Sequence, residues 1–124
     1  MAMNQEELQN KLMEAQQLQQ QLQKLITQRQ QLQLKENDIE RALSELEKLE
    51  KETPVYRNVG ENILVKVEDK DKLVEELKDD LESTSVRVKA LGRQEDKMRK
   101  TFQNIQKELS TSLGGLQQGA VGGG

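Results

Sequence analysis

One short segment, residues 53–67, most constrains what this chain can fold into. It contains the only proline, Pro54, and the only tyrosine, Tyr56. Proline lacks a backbone N–H and disfavours helix at the residue before it, so a helix arriving from the N-terminal side is predicted to end near Thr53. Beyond the proline, apolar residues recur at the strand period of about 2. The segment therefore predicts a β-hairpin over residues 54–67 between two helices.

The predicted hairpin turns at Gly60, Glu61 and Asn62, with Gly60 supplying positive φ. Three pairs follow from this turn: Val59 with Ile63, Arg57 with Val65, and Val55 with Val67. These six side chains share one face, and five of them are apolar.

A lone two-stranded hairpin is marginal in water, and its open edges can add strands. Domain swapping or a helix folding back could cover the apolar face, but the interpretation we favour is a sheet shared between subunits. The residues assigned to this oligomerisation surface are Val55, Tyr56, Val59, Gly60, Ile63, Leu64, Val65 and Val67.

Both flanks of the hairpin carry long apolar repeats. The first helix is predicted over residues 4–53 with Asn4 as its N-cap, and the second over residues 69–113 with Asp69 or Asp71 as its N-cap. Apolar residues recur at alternating spacings of four and three, which is the heptad pattern of a coiled coil. The fold class is therefore mainly α: a long antiparallel two-helix coiled coil joined by one β-hairpin. Glycine after Leu113 is expected to end the second helix, leaving residues 114–124 as a flexible Gly-rich tail.

Two charged residues, Arg29 and Glu95, fall on positions of the apolar seam. In antiparallel register they lie within one helical turn of each other. Two interpretations stay open: an ion pair that helps to set the register, or two side chains that both extend to water.

Composition excludes several classes of function. Only 2% of the residues are aromatic and 33% are charged, so the chain cannot bury a sizeable monomeric core. It has no histidine and no cysteine, which removes the commonest general base, thiol nucleophile and metal ligands. It also lacks the Gly-x-x-x-x-Gly-Lys phosphate-binding motif. The sequence predicts no enzyme activity, no metal and no cofactor.

Targeting signals are absent too. No apolar run approaches the roughly 20 residues of a membrane span, and no signal-peptide core is present. These features predict a cytoplasmic protein that does not enter the membrane.

The hairpin block, PVYRNVGENILVKV from Pro54 to Val67, between helices of matched length, resembles the β-type subunits of archaeal prefoldin. The similarity covers residues 5–113, and a single hairpin is typical of the β class because the α class carries two. The resemblance implies a hetero-hexamer of two α-type and four β-type subunits, whose hairpins form a β-barrel-like platform. It also implies ATP-independent capture of unfolded proteins between the coiled-coil tips and their transfer to a group II chaperonin.

The open end of the coiled coil is the predicted client site. There the start of the first helix meets the end of the second, and the seam cannot use every apolar side chain. The residues assigned to client binding are Leu8, Leu12, Met13, Phe102, Ile105, Leu109 and Leu113. The alternative is that Phe102, Ile105 and Leu109 simply complete the coiled-coil core.

Two alternative functions would use a similar fold. A structural coiled-coil adaptor or tether would use the same fold to bind one specific folded partner. A nucleic-acid-binding arm needs a basic face, but the net charge is −3. The basic residues between Arg87 and Lys100 are spread around the helix and interrupted by Glu95 and Asp96, so the sequence predicts no nucleic-acid partner.

Overall fold

The computed structural model describes residues 3–122, with side chains as far as Leu113. Helix α1 spans Gln5–Lys48, strand β1 Tyr56–Gly60, strand β2 Ile63–Lys66 and helix α2 Lys70–Gly122. Two long helices joined by a small antiparallel hairpin confirm the predicted mainly α fold class.

The chain divides into two compact units. The terminal unit contains residues 1–29 and 90–124, and the hairpin unit contains residues 30–89.

Side-chain caps determine where both helices begin. The Oδ1 atom of Asn4 accepts a hydrogen bond of 2.8 Å from the backbone N–H of Glu7, so the predicted N-cap of α1 is confirmed. The Oδ1 atom of Asp69 accepts a 3.1 Å bond from the N–H of Lys72, which selects Asp69 over Asp71 as the N-cap of α2.

Helix α1 ends at Lys48, so the predicted end near Thr53 was wrong. The chain leaves the helix through tight turns, in which the N–H of Thr53 donates to the carbonyl of Glu50 at 3.0 Å. The ammonium of Lys70 donates to the carbonyl of Lys51 at 2.9 Å, an acceptor in the turns that follow the helix. Proline constrains only the residue before it, whereas this contact comes from a distant part of the sequence.

Helix α2 continues to Gly122, so the predicted helix end at Leu113 and the flexible tail from Gly114 are corrected over that range. Glycine costs a helix about 1 kcal/mol relative to alanine, but it keeps its N–H and does not block the helix as proline does. The final two residues of the predicted tail lie outside the described residues.

The hairpin register agrees with the prediction except near the turn. Arg57 pairs with Val65 as predicted, but Ile63 pairs with Gly60 and not with Val59, because a bulge shifts the register after Asn58. The positive φ belongs to Asn62, at 63°, and not to Gly60. Asparagine tolerates the left-handed region better than most residues, and one such residue beside a bulge is common in short hairpin loops.

Within each unit the two helical segments run antiparallel. In the hairpin unit, Lys35 pairs with Asp80 at 3.2 Å, and Ile39 and Thr84 are buried. In the terminal unit, Lys11 pairs with Glu108 at 3.4 Å and Arg29 pairs with Glu95. In both units, residues later in α1 meet residues earlier in α2. The predicted heptad positions are buried or half-buried, as a coiled-coil seam requires.

Candidate functional site

The terminal unit brings together the seven residues that were predicted to bind clients, but it exposes only some of them. Leu12, Met13 and Leu113 are exposed, and Met13 keeps 58% of its surface accessible. Leu8 and Phe102 are half-buried. The exposed residues leave apolar surface in water, which is the chemistry that an unfolded chain can bind.

Ile105 and Leu109 are 3% and 7% exposed, so they belong to the core of the terminal unit. The alternative stated for these two residues, that they complete the coiled coil, is the arrangement observed. Their heptad positions point them at the seam, and burying each contributes about 1.5–3 kcal/mol to stability.

A polar cluster lies in the same unit. Glu95 is 3% exposed and accepts a hydrogen bond from the Nε–H of Arg29, so the ion pair is the one of the two open interpretations that is observed. Its other carboxylate oxygen lies 3.7 Å from Nη2 of Arg99. The two guanidinium groups compensate the negative charge, which would otherwise be costly to bury. Among the described residues, no buried side-chain nitrogen or oxygen lacks a hydrogen-bond partner.

Nearer the N-terminus, Lys11 joins the two helical segments. Its hydrogen bond to Glu108 and the attraction of that carboxylate raise the pKa of Lys11 above its ordinary value. The pair is exposed to solvent, so it contributes little to stability.

The hairpin exposes apolar residues on both of its faces. Val59, Ile63 and Val65 are exposed on the predicted apolar face, and Tyr56 and Leu64 are exposed on the other, with Leu64 at 65%. Tyr56 and Leu64, which the sequence analysis also assigned to the oligomerisation surface, add exposed apolar area beyond that face. Gly60, at the end of β1, is exposed as well.

Helix α2 contacts the hairpin at one ion pair and an adjoining groove, and the sequence analysis specified neither contact. Nη2 of Arg57 lies 3.5 Å from Oε2 of Glu76, and a groove between strand β2 and α2 is lined by Val65, Val67 and Leu73 among others. Val67, which lines this groove, is half-buried, and so is Val55. No sequence signal marked Glu76 as the partner of Arg57, because acidic residues are frequent throughout the first turns of α2.

Other classes of site find no support in the described part of the chain. There, no group of three or more acidic, histidine or cysteine side chains is arranged to hold a metal ion. None of the helical stretches between residues 3 and 122 combines the length and the apolarity needed to cross a membrane.

The two helices and the hairpin match a family of known proteins. A family model described as prefoldin subunit matches residues 9–115, which is most of the chain. The chain belongs to the prefoldin subunit family. Prefoldin subunit beta of Archaeoglobus fulgidus is 48% identical over 107 residues, covering 86% of this chain and 90% of that protein. Prefoldin subunit beta of Thermoplasma volcanium is 44% identical over 106 residues, covering 86% and 82% respectively.

A solved prefoldin shows the same fold. The crystal structure of the prefoldin beta subunit from Thermococcus strain KS-1 matches with a TM-score of 0.74 and 36% identity, covering 86% of this chain and 92% of that one. The resemblance inferred from the hairpin block, to archaeal β-type prefoldin subunits, is thus confirmed. Prefoldin is a chaperone and not a known enzyme family, so membership indicates a chaperone role.

Proposed function

We propose that this chain is the β-type subunit of an ATP-independent holding chaperone, which binds unfolded proteins and transfers them to a group II chaperonin. The observation that carries the proposal is the exposure of three apolar side chains in the terminal unit, Leu12, Met13 and Leu113. We name these three residues the client patch.

The client patch suits a chaperone that must release its cargo. Three separate side chains offer little apolar area, so each subunit binds weakly. Several subunits acting on one unfolded chain gain affinity through avidity and still release it without ATP. Met13 is flexible and polarizable, which suits clients of varied sequence.

Assembly is the second part of the proposal. The hairpin surface, consisting of Val55, Tyr56, Val59, Gly60, Ile63, Leu64, Val65 and Val67, forms a β-barrel-like platform with α-type subunits and further copies of this chain. Its exposed apolar residues, and two strand edges that pair with no other strand of the described chain, support this role, because such edges pair readily with another chain. The proposed complex contains two α-type and four β-type subunits.

The deciding experiment changes the client patch and measures the holding of unfolded protein. The complex is assembled from an archaeal α-type subunit and the variant Leu12→Ser/Met13→Ser/Leu113→Ser. Light scattering then follows the aggregation of several unrelated denatured proteins. We expect the variant complex to suppress aggregation several-fold less well than the parent, because about three exposed apolar anchors per subunit are lost.

The matched control is Leu34→Ser/Leu49→Ser/Val86→Ser, which removes three exposed apolar residues from the hairpin unit. This control complex should hold denatured proteins as well as the parent. Equal loss in both variants, or no loss in the client-patch variant, would contradict the proposed site.

A further inference from the structure

Methionine sulfur is the most readily oxidised group in this chain. The sequence contains four methionines and no cysteine or tryptophan. A hydroperoxide therefore finds no thiol to react with first, and methionine sulfur becomes its main target. Because the reaction needs access from solvent, the position of each methionine decides which one reacts.

Met13 presents its thioether to solvent on the outer side of α1. Lys11 and Ala15, two positions away on either side, are half-buried, and two residues turn a helix by about 200°. Met13 thus points away from the opposing helical segment and keeps 58% of its surface accessible. Its neighbours one helical turn away are all exposed amide side chains: Gln9, Asn10, Gln16 and Gln17. A small oxidant in water can therefore reach the sulfur of Met13.

The other described methionines are less accessible. Met98 is half-buried on the seam side of α2, three residues after the buried Glu95. Met3 is half-buried and lines a groove together with Lys107 and Thr111. The fourth methionine, Met1, lies outside the described residues. Within the described part of the chain, Met13 is the methionine that an oxidant in solution reaches most easily.

Oxidation converts this apolar anchor of the client patch into a polar group. The sulfur lone pair of Met13 attacks one oxygen of a hydroperoxide, so an S–O bond forms and the O–O bond breaks. The other oxygen takes the proton of the attacked oxygen and leaves as water, or as an alcohol from an organic hydroperoxide. Sulfur loses two electrons and the peroxide gains them. The sulfoxide oxygen is a hydrogen-bond acceptor that an apolar client side chain cannot satisfy.

We propose that Met13 is a reversible oxidation site at which hydroperoxides weaken the binding of unfolded proteins. The inference rests on the proposed function of the client patch. Several subunits contact one client, so a modest loss at each contact multiplies over the complex. The coiled coil is spared, because Met13 does not pack in the seam. Methionine sulfoxide reductase, with a dithiol as electron donor, returns the sulfoxide to the thioether.

Peroxide treatment of the complex assembled with an archaeal α-type subunit tests the site. Peptide mass mapping follows each methionine, and Met13 should gain its oxygen several-fold faster than Met3 or Met98. Light scattering of denatured proteins then compares each complex with its own untreated sample. Full oxidation of Met13 should weaken holding by the parent about threefold, with helical circular dichroism unchanged. The reductase and its dithiol should restore holding.

Three variants assign the effect to one sulfur atom. Met13→Leu removes the sulfur and keeps an apolar side chain of similar volume. Its complex should lose much less of its own holding on treatment, although the α-type subunit is exposed to the same peroxide. The matched control Met3→Leu/Met98→Leu retains Met13 and should lose as much as the parent. Met13→Gln, with a neutral polar side chain of similar length, should weaken holding without peroxide.

The outcomes separate this inference from the proposed function. The oxidation site is overturned if Met3 or Met98 reacts before Met13, if full oxidation of Met13 leaves holding unchanged, or if Met13→Leu loses as much as the parent. Failure of the proposed function is visible before any peroxide is added. In that case the untreated parent complex does not hold denatured proteins, or the client-patch variant holds them as well as the parent, and the oxidation site is overturned with it.

Discussion

Glu95 lies in an environment that is unusual for a glutamate, because it is only 3% exposed. Glutamate is rarely buried without a partner, and here two arginines supply compensating charge. Removing one member of such a pair leaves the other charge buried without a partner, where water cannot solvate it. Loss of one member therefore lowers the free energy of unfolding by more than the intact pair contributes. It also disfavours alternative registers of the seam, because a shifted helix would leave Glu95 against apolar side chains.

We expect Arg29→Ala to lower the free energy of unfolding by about 1–3 kcal/mol, below the value for a fully buried pair because Arg29 is partly exposed. Arg99→Ala, which removes the longer and more exposed contact, should cost no more than about 1 kcal/mol. Urea unfolding of Arg29→Ala, Glu95→Ala and the double variant gives the interaction energy. A coupling below about 0.5 kcal/mol would mean that the two residues do not act together.

The hairpin loop offers a second residue-scale prediction. Asn62 has positive φ, so Asn62→Val should destabilise the hairpin by about 1–2 kcal/mol, and Asn62→Gly should not. Gly60→Ala is the informative control. A Cβ atom there would meet Ile63 Cδ1 at 3.7 Å, an ordinary contact, and should cost less than Asn62→Val. The fluorescence of Tyr56, the only tyrosine, reports on hairpin unfolding. A larger loss of hairpin stability for Gly60→Ala than for Asn62→Val would contradict the assignment of the positive φ to Asn62.

At the scale of elements, the hairpin leaves backbone hydrogen-bonding groups and apolar side chains without partners in the described part of the chain. It has two strands, both edges open within that part of the chain, and exposed apolar side chains on both faces. The Arg57–Glu76 pair and the groove beside Leu73 attach it to α2 without covering it. The helices, in contrast, bury their apolar seam within each unit, so assembly and secondary structure depend on separate residues.

Because the hairpin residues and the residues of the helical seam are separate, Ile63→Asp is predicted to dissociate the proposed oligomer and to leave helical circular dichroism largely intact. The substitution places a charge on a surface that assembly would bury, which costs several kcal/mol in an interface. Asn58→Asp adds the same charge to an exposed polar position of the hairpin and should assemble normally. Native mass measurement decides the matter, and an unchanged mass for purified Ile63→Asp would contradict the role given to the hairpin.

At the scale of the whole molecule, charge divides unevenly between the two units. The hairpin unit has eleven basic and sixteen acidic side chains, a net charge of −5, whereas the terminal unit carries +2. The unit proposed to assemble and the unit proposed to bind other proteins therefore differ in charge as well as in exposed apolar surface. A self-repelling hairpin unit is expected to favour a less acidic partner over further copies of itself.

Mixing this chain with an archaeal α-type prefoldin subunit should accordingly produce one defined species, with the mass of two α-type and four β-type chains. Native mass spectrometry of each chain alone and of the mixture tests this. The chain alone should give smaller or mixed species whose size increases with salt, because salt screens the repulsion between acidic hairpin units. A stable hexamer of this chain alone at low salt would contradict the expectation.

Much of the architecture was predictable because it depends on local chemistry. Asn4 and Asp69 cap their own helices, heptad spacing marks the seam, and proline with alternating valines marks the hairpin. Each of these signals acts within a few residues, so the order and type of the elements follow from sequence alone. The family resemblance rests on the same short block and was equally accessible.

Other features were decided by residues that meet only after folding. Helix α1 ends at Lys48, and the ammonium of Lys70, distant in sequence, donates to the carbonyls of Glu50 and Lys51 in the turns that follow. The sequence left open whether Glu95 pairs with Arg29 or extends to water, and the packed helices place Glu95 buried against Arg29. Leu12 and Ile105 are similarly apolar, yet Ile105 is buried and Leu12 is exposed, because burial depends on the opposing helix. Sequence by itself determined which elements form, because their forces are local; tertiary structure decided which side chains stay available to partners, because burial is a property of the packed pair of helices.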